Sequence, residues 1–328
     1  MQKMLKGGSI SQEQMVLIIS AALFVIFSIT LDSFLQVSNL VSLLQNVSIL
    51  GILAIGMAVV IIGRGIDLTM VAVMVFTVGW SFSLHLDGMS IGIALALGFA
   101  LALLIGTVNG FLIAYVEIPA IFATLAMATV IAGLGRFALV ESDTIFITSD
   151  LGLIGQLGSG RIGSVIPMPV VIFLLLAFVV YLALRYTRYG AFIYAIGDNY
   201  LAARNNGIAT RPMTILAYAV SAAIAFFAGL IMATTVSTVN ARLANSTLVY
   251  DIILVVVIGG IGLSGGKGSI RNVLSGTLLI GLLLNGMTIM NISYSVQNII
   301  KALILLAAII LDSLLNPRDE QTSQQGDI

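Results

Sequence analysis

Arg185-Tyr-Thr-Arg-Tyr-Gly-Ala-Phe-Ile-Tyr-Ala-Ile-Gly-Asp-Asn-Tyr-Leu-Ala-Ala-Arg-Asn-Asn-Gly-Ile-Ala-Thr-Arg211 is the stretch on which the reading of this chain turns. It is a polar island of 27 residues between two apolar runs, 167–185 and 212–236. Each run is long enough to cross a bilayer core of about 30 Å. Within the island, Asp198 or Asn199 can cap a helix over Tyr200–Asn206, and Gly207 can end it in the left-handed conformation. At about 1.5 Å per residue that helix has only two turns. It cannot span, so it lies outside the membrane.

The apolar signal recurs on both sides of the island. Runs fall at 15–35, 40–63, 68–86, 90–114, 119–140, 167–185, 212–236, 248–264, 270–290 and 294–315. The expected fold is all-α: a polytopic membrane protein of about ten transmembrane helices. The second and eighth runs end in glycine-rich breaks, which leaves room for partly re-entrant courses. Composition agrees, with 59% hydrophobic residues, 9% charged residues and a mean hydropathy of +1.15. A soluble domain carries about 25% charged residues. One transmembrane domain is expected over 15–315, between an N-terminal segment 1–14 and a polar, disordered tail 316–328. No small-residue cleavage site follows the first apolar run, so it reads as a retained helix rather than a signal peptide.

Charge and rare residues exclude several classes. Net charge is zero, which removes the electrostatic case for nucleic acid. There are no cysteines and one histidine, His85, in a short loop beside Asp87. No metal site and no catalytic residue is expected. With the N-terminus cytoplasmic, the cytoplasmic side holds Lys3, Lys6, Arg64, Arg185, Arg188, Arg204, Arg211, Lys267, Arg271 and Arg318. The other side holds Arg136, Arg161, Arg242 and Lys301, and its longest segment, about Glu141–Pro167, carries Glu141, Asp143 and Asp150. Ten against four places both termini, and the island, in the cytoplasm.

The run Val255-Val-Val-Ile-Gly-Gly-Ile-Gly-Leu-Ser-Gly-Gly-Lys-Gly-Ser269 imitates three other chemistries and fails each. Gly260-x-Gly262-x-x-Gly265 lacks the strand–helix context of a dinucleotide site. A phosphate loop needs glycine and serine or threonine where Ile261 and Gly268 stand. Gly262-Leu-Ser264-Gly265 resembles the nucleophile motif of rhomboid proteases, but no histidine follows Ser264 to serve as base. Energy for any pumping must therefore come from another chain.

Polar residues inside apolar runs mark candidate pathway or gate positions: Asn46, Asn109 and Asn285, with Arg64 and Asp67 in the break Ile62-Gly-Arg-Gly-Ile-Asp-Leu-Thr69. Asp67 or Thr69 can cap the following helix, and Arg64 can pair with Asp67. Asp251, at the start of the eighth run, reads as a carboxylate stabilising a helix N-terminus. No opposite-charge pair suited to a zwitterion is evident in mid-membrane. Acidic residues fall almost entirely at helix ends, which argues against an ion-coupled secondary transporter.

Several stretches then form one pattern. Ile49-Leu-Gly-Ile-Leu-Ala-Ile-Gly-Met57 with Gly65-Ile-Asp-Leu-Thr69, Val116-Glu-Ile-Pro-Ala-Ile-Phe-Ala-Thr-Leu-Ala126, Tyr194-Ala-Ile-Gly-Asp-Asn-Tyr-Leu-Ala-Ala-Arg-Asn-Asn-Gly-Ile208, Val257–Ile270 and Ile300-Lys-Ala-Leu-Ile304 resemble the permease subunits of ribose-type sugar ABC importers. These sit within the branched-chain amino acid and sugar permease superfamily. The resemblance implies a non-enzymatic inner-membrane permease that passes a monosaccharide by alternating access. It implies three partners: a second permease subunit, identical or related; two copies or a fused tandem of an ABC ATPase; and a periplasmic or lipid-anchored sugar-binding protein. ATP and magnesium would be used by the ATPase, with no cofactor on this chain. It also implies that Asp198, Asn199, Tyr200, Leu201, Ala202, Ala203, Arg204, Asn205, Asn206 and Gly207 form the coupling helix seated on the ATPase, where Asp at Ala203 is expected to uncouple hydrolysis. A branched-chain amino acid permease is the nearest rival.

Overall fold

The computed structural model describes residues 11–140, 142–147, 151–163 and 166–315. Lys3, Lys6, Glu141, Asp150, Arg318 and the tail 316–328 lie outside the described residues, as does most of the segment 1–14.

All ten apolar runs are helices: α1 Gln12–Thr30, α2 Val37–Ile62, α3 Met70–Leu86, α4 Ile91–Ala114, α5 Ala120–Leu134, α7 Met168–Tyr186, α10 Thr210–Val236, α11 Leu248–Gly259, α12 Ile270–Ile289 and α13 Tyr294–Leu315. Three short helices complete the set: α6 Gln156–Ser159, α8 Arg188–Asp198 and α9 Tyr200–Asn205. Among the described residues seven helices are long and apolar enough to cross a bilayer, α5 through its continuation to Leu139, while α3, α11 and the stretch Tyr294–Ile310 of α13 are shorter apolar helices. The all-α polytopic expectation holds. α11 ends at Gly259, not at 264, because Gly260 turns the chain at φ 107°.

α2 is the axis of the bundle. Every residue from Val47 to Ile62 is buried, as expected of a helix apolar on all sides. α3 behaves alike, buried from Met70 to Gly79. Around them the pattern of a soluble protein is reversed: Ile29, Ile93, Leu104, Phe122, Leu175 and Phe178 point outward, where lipid is the solvent. α4 and α10 pack closely because α4 presents Ala94, Gly98, Ala102, Gly106 and Gly110 at steps of four along one buried stripe. A Cβ on Gly106 would sit 2.6 Å from the Tyr218 carbonyl oxygen, so only glycine admits α10 there.

At one end of the bundle, strands Thr144–Phe146 and Thr238–Asn240 pair antiparallel. Arg136 and Arg242 both reach Asp143, at 3.3 and 2.8 Å. The Arg242 hydrogen bond, helped by both positive charges, holds the Asp143 carboxyl below its ordinary value. The sign follows: this clasp is intact above the usual aspartate range and is lost as pH falls through the lowered folded value. Asp143→Asn should loosen the strand pair at neutral pH and raise hydrogen exchange at Ile147, whose N–H bonds to Ser237. Unchanged exchange would show that the strand pairing stands without the clasp.

Candidate functional site

The island sits at the other end. The sequence reading gave it one helix; it holds two. α8 begins where the Thr187 side chain accepts from Gly190 N, and it buries Gly190, Ile193, Ile196 and Gly197 on one face. α9 follows after a single residue. Of the two candidate caps, Asn199 takes the role, its Oδ1 accepting from Ala202 N at 2.9 Å, while Asp198 closes α8. Gly207 ends α9 with φ 82°, and Ile208 N returns to the Ala203 carbonyl at 3.1 Å. Leu201, Ala202, Arg204, Asn205, Asn206 and Gly207 are exposed, and Tyr200 is half-buried. Ala203 faces inward at 4% exposure. An aspartate there would bury a charge in this chain itself, so Leu201, 51% exposed, is the better probe of an outer surface.

What α9 is attached to matters more. Gly266 N donates to the Ile62 carbonyl at the end of α2, 2.9 Å away. A Cβ on Gly197 would collide with both Ile62 O and Gly266 N, and one on Gly266 would lie 2.7 Å from Asp198 Cα. Tyr194 Oη donates to the Gly268 carbonyl at 2.7 Å. The end of α2, the end of α8 and the glycine loop thus meet backbone to backbone. Contacts of this kind leave little room for one segment to move without the others.

Beside this junction lies a buried polar network, in which the Asn109 Oδ1 is left without a partner. Asp67 accepts from Thr69 N at 3.0 Å, from the Thr69 hydroxyl, and from the Ser221 hydroxyl at 2.7 Å. Asn109 Nδ2 donates to Thr69 Oγ1 at 3.0 Å. Asp67, Thr69, Asn109 and Ser221 are all essentially inaccessible. Thr69 precedes α3 without capping it by its side chain. Arg64 stands in the left-handed region, φ 68°, against Gly265. Asp67 and Asn109 therefore tie α2, α3, α4 and α10 together rather than lining open space.

Asn46 and Asn285 are elsewhere. They line a cavity of about 400 Å³ with Asn39, Ser42, Asp251 and Thr288, among apolar side chains. Asn46 and Arg64 are eighteen residues apart on or just beyond α2, roughly 27 Å along its axis. The five candidate pathway residues thus form two groups at opposite ends of the bundle. Asn285 and Asn39 exchange reciprocal hydrogen bonds of 2.8 and 3.2 Å. Asp251 stands in the first turn of α11, where the sequence placed it, and it also pairs with another helix. It is 8% exposed and holds the buried Lys301 ammonium, with both carboxylate oxygens 2.8 Å from Nζ and only Oδ2 in hydrogen-bonding geometry. This corrects one reading: an opposite-charge pair does exist within the bundle, between α11 and α13. Sequence reading passed over Asn39, Ser42 and Thr288, although 39, 42 and 46, and likewise 281, 285 and 288, recur at the spacing of one helix face.

A bundle with apolar side chains on its outer face, a cavity edged by amides and hydroxyls at one end and an exposed short helix at the other is the architecture of a multi-pass membrane protein. Residues 39–309 match the family described as branched-chain amino acid transport system / permease component, and the chain belongs to that family. It is 34% identical to the ribose import permease protein RbsC of Escherichia coli K12, over 92% of this chain and 94% of that protein. It is 33% identical to the galactofuranose transporter permease protein YtfT of the same strain, over 83% and 79% of the two chains. It is 30% identical to that strain's L-arabinose transport system permease protein AraH, over 93% and 92%. No solved structure matches the chain.

Proposed function

We propose that this chain is the membrane subunit of an ATP-driven importer in a bacterial inner membrane, and that its cargo is a monosaccharide. The carrying observation is the cavity of Asn39, Ser42, Asn46, Asn285 and Thr288, which offers neutral donors and acceptors suited to hydroxyl groups. The sugars named for the three relatives support the same reading. α9 is the contact for a separate ATPase, which uses ATP and magnesium. Its closure pushes the α8–α2–glycine-loop junction and opens the cavity end toward a sugar-binding protein, with both termini and the island cytoplasmic. A second permease chain, identical or related, completes the pathway. Leaving out Lys301, which is buried against Asp251, the basic residues stand ten against three, which supports that orientation.

One observation favours the amino acid reading: a carboxylate–ammonium pair borders the cavity. Asp251 and Lys301 neutralise each other at 2.8 Å, which leaves neither charge open to a zwitterion. With its ATPase and binding protein reconstituted, the complex should hydrolyse ATP faster with one pentose or hexose of a panel and not with leucine or isoleucine. Asn46→Leu should lower uptake about five- to tenfold, the worth of one or two hydrogen bonds. Stimulation by an amino acid, with sugars inert, would reverse the assignment.

A further inference from the structure

A second cavity, about 430 Å³, lies on the island end between α1, α7 and α12. It takes no part in the function proposed above. Its walls include Tyr181 and Arg185 from α7, Arg271 from the first turn of α12, Glu13 from the first turn of α1, and Tyr194 and Ser269. Arg185 Nη1 and Arg271 Nη2 both donate to the one hydroxyl of Tyr181, the second at 3.3 Å. Both guanidiniums also lie against the Tyr181 ring, 5.6 and 5.5 Å from its centre. Two like charges are thus gathered round a neutral phenol. Among the described residues no carboxylate comes within ion-pair distance of either, Glu13 included.

Both arginines are exposed, so water fills the donors that Tyr181 leaves open, and an anion that displaces it meets two positive charges at one point. Each guanidinium presents five donors in a planar fork, and here each has one conventional acceptor in a wall that retains room. The setting selects the anion. Immediately along α7 the outward side chains are Leu182, Val179, Phe178, Leu175 and Leu174, all exposed, so the basic pocket is where a lipid-facing apolar surface ends. Arginine pockets between transmembrane helices at that depth suit the phosphate of a lipid headgroup, with its acyl chains on the apolar flank.

We propose that the Arg185–Tyr181–Arg271 pocket binds the phosphate group of an anionic phospholipid. Glu13, on the same wall, opposes the anion and limits affinity, so its removal tightens binding.

The test is native mass spectrometry of the purified permease titrated with phosphatidylglycerol, cardiolipin, phosphatidylcholine or inorganic phosphate. The expected result is retained anionic lipid on the wild type. The paired change Arg185→Gln and Arg271→Gln should weaken retention about thirtyfold. Arg188→Gln, an equal charge loss per site outside the pocket, should leave it unchanged. Glu13→Gln should strengthen it about fivefold, and this variant decides the matter should the double variant fail to fold. Equal retention by wild type and double variant, loss on Arg188→Gln, or no gain on Glu13→Gln would overturn the proposal. Inorganic phosphate displacing lipid at equal concentration would overturn the lipid assignment in favour of a free phosphate site.

Discussion

Leu201→Asp is expected to abolish cargo-stimulated ATP hydrolysis by the assembled importer while the permease still reaches the membrane. Leu201 is half exposed on a two-turn helix whose remaining outward positions are small or polar. It is the apolar anchor that helix can offer a groove. A buried aliphatic anchor of this kind contributes about 2 kcal/mol or more, and a carboxylate in its place also adds a desolvation penalty. Together these predict a loss of more than about thirtyfold in productive contact. The matched control is Ala203→Asp. Because Ala203 faces the bundle, that variant should lower the melting temperature of the isolated permease, which Leu201→Asp should leave unchanged. Full coupling in Leu201→Asp would show that α9 is not where the ATPase pushes.

The second large effect belongs to Asp251 and Lys301. Both side chains are nearly buried, at 11% and 6% exposure, and they join α11 to α13. Asp251→Asn or Lys301→Met alone strands one charge in the bundle, at a cost of roughly 3–5 kcal/mol. Each single change should lower the melting temperature in detergent by several degrees and reduce the folded yield. Combining the two removes both charges and should recover most of the loss, since neutral replacement of a buried pair is often nearly neutral in stability. A double variant as unstable as the sum of the singles would mean that the two residues act independently. Recovery of stability without recovery of uptake would place the pair on the transport pathway.

Most of the architecture was legible because a bilayer enforces a coarse code: about twenty apolar residues, then a break. α8 escaped that code. Its eleven residues mix Arg188 and Tyr189 with an apolar face at 190, 193, 196 and 197, which is a short amphipathic helix rather than a spanning one. The cap on α9 was legible as a choice between Asp198 and Asn199, because both residue types cap helices. Only the fold, by ending α8 at Asp198, leaves Asn199 for the task.

The candidate pathway residues were legible as buried amides and acids but not as groups. Asn109 meets Thr69, and through it Asp67, across forty residues of sequence, and Asp251 meets Lys301 across fifty. Long-range pairs of this kind carry no local periodicity, so the sequence placed Asp251 at a helix end and Lys301 in its own apolar run without joining the two. The three-way junction at Ile62, Gly197 and Gly266 was invisible for a related reason. Glycines that admit backbone contact look the same in sequence as glycines that merely turn a loop.

In the proposed function, ATP hydrolysis on another chain drives cargo through this one by pushing α9. The direct measurement is uptake of labelled sugar into proteoliposomes holding the permease, its ATPase and its binding protein, energised in turn by ATP or by a proton or sodium gradient. The account predicts uptake with ATP, none with either gradient alone, and loss of the ATP-driven component in Leu201→Asp. Gradient-driven uptake without ATP would contradict it.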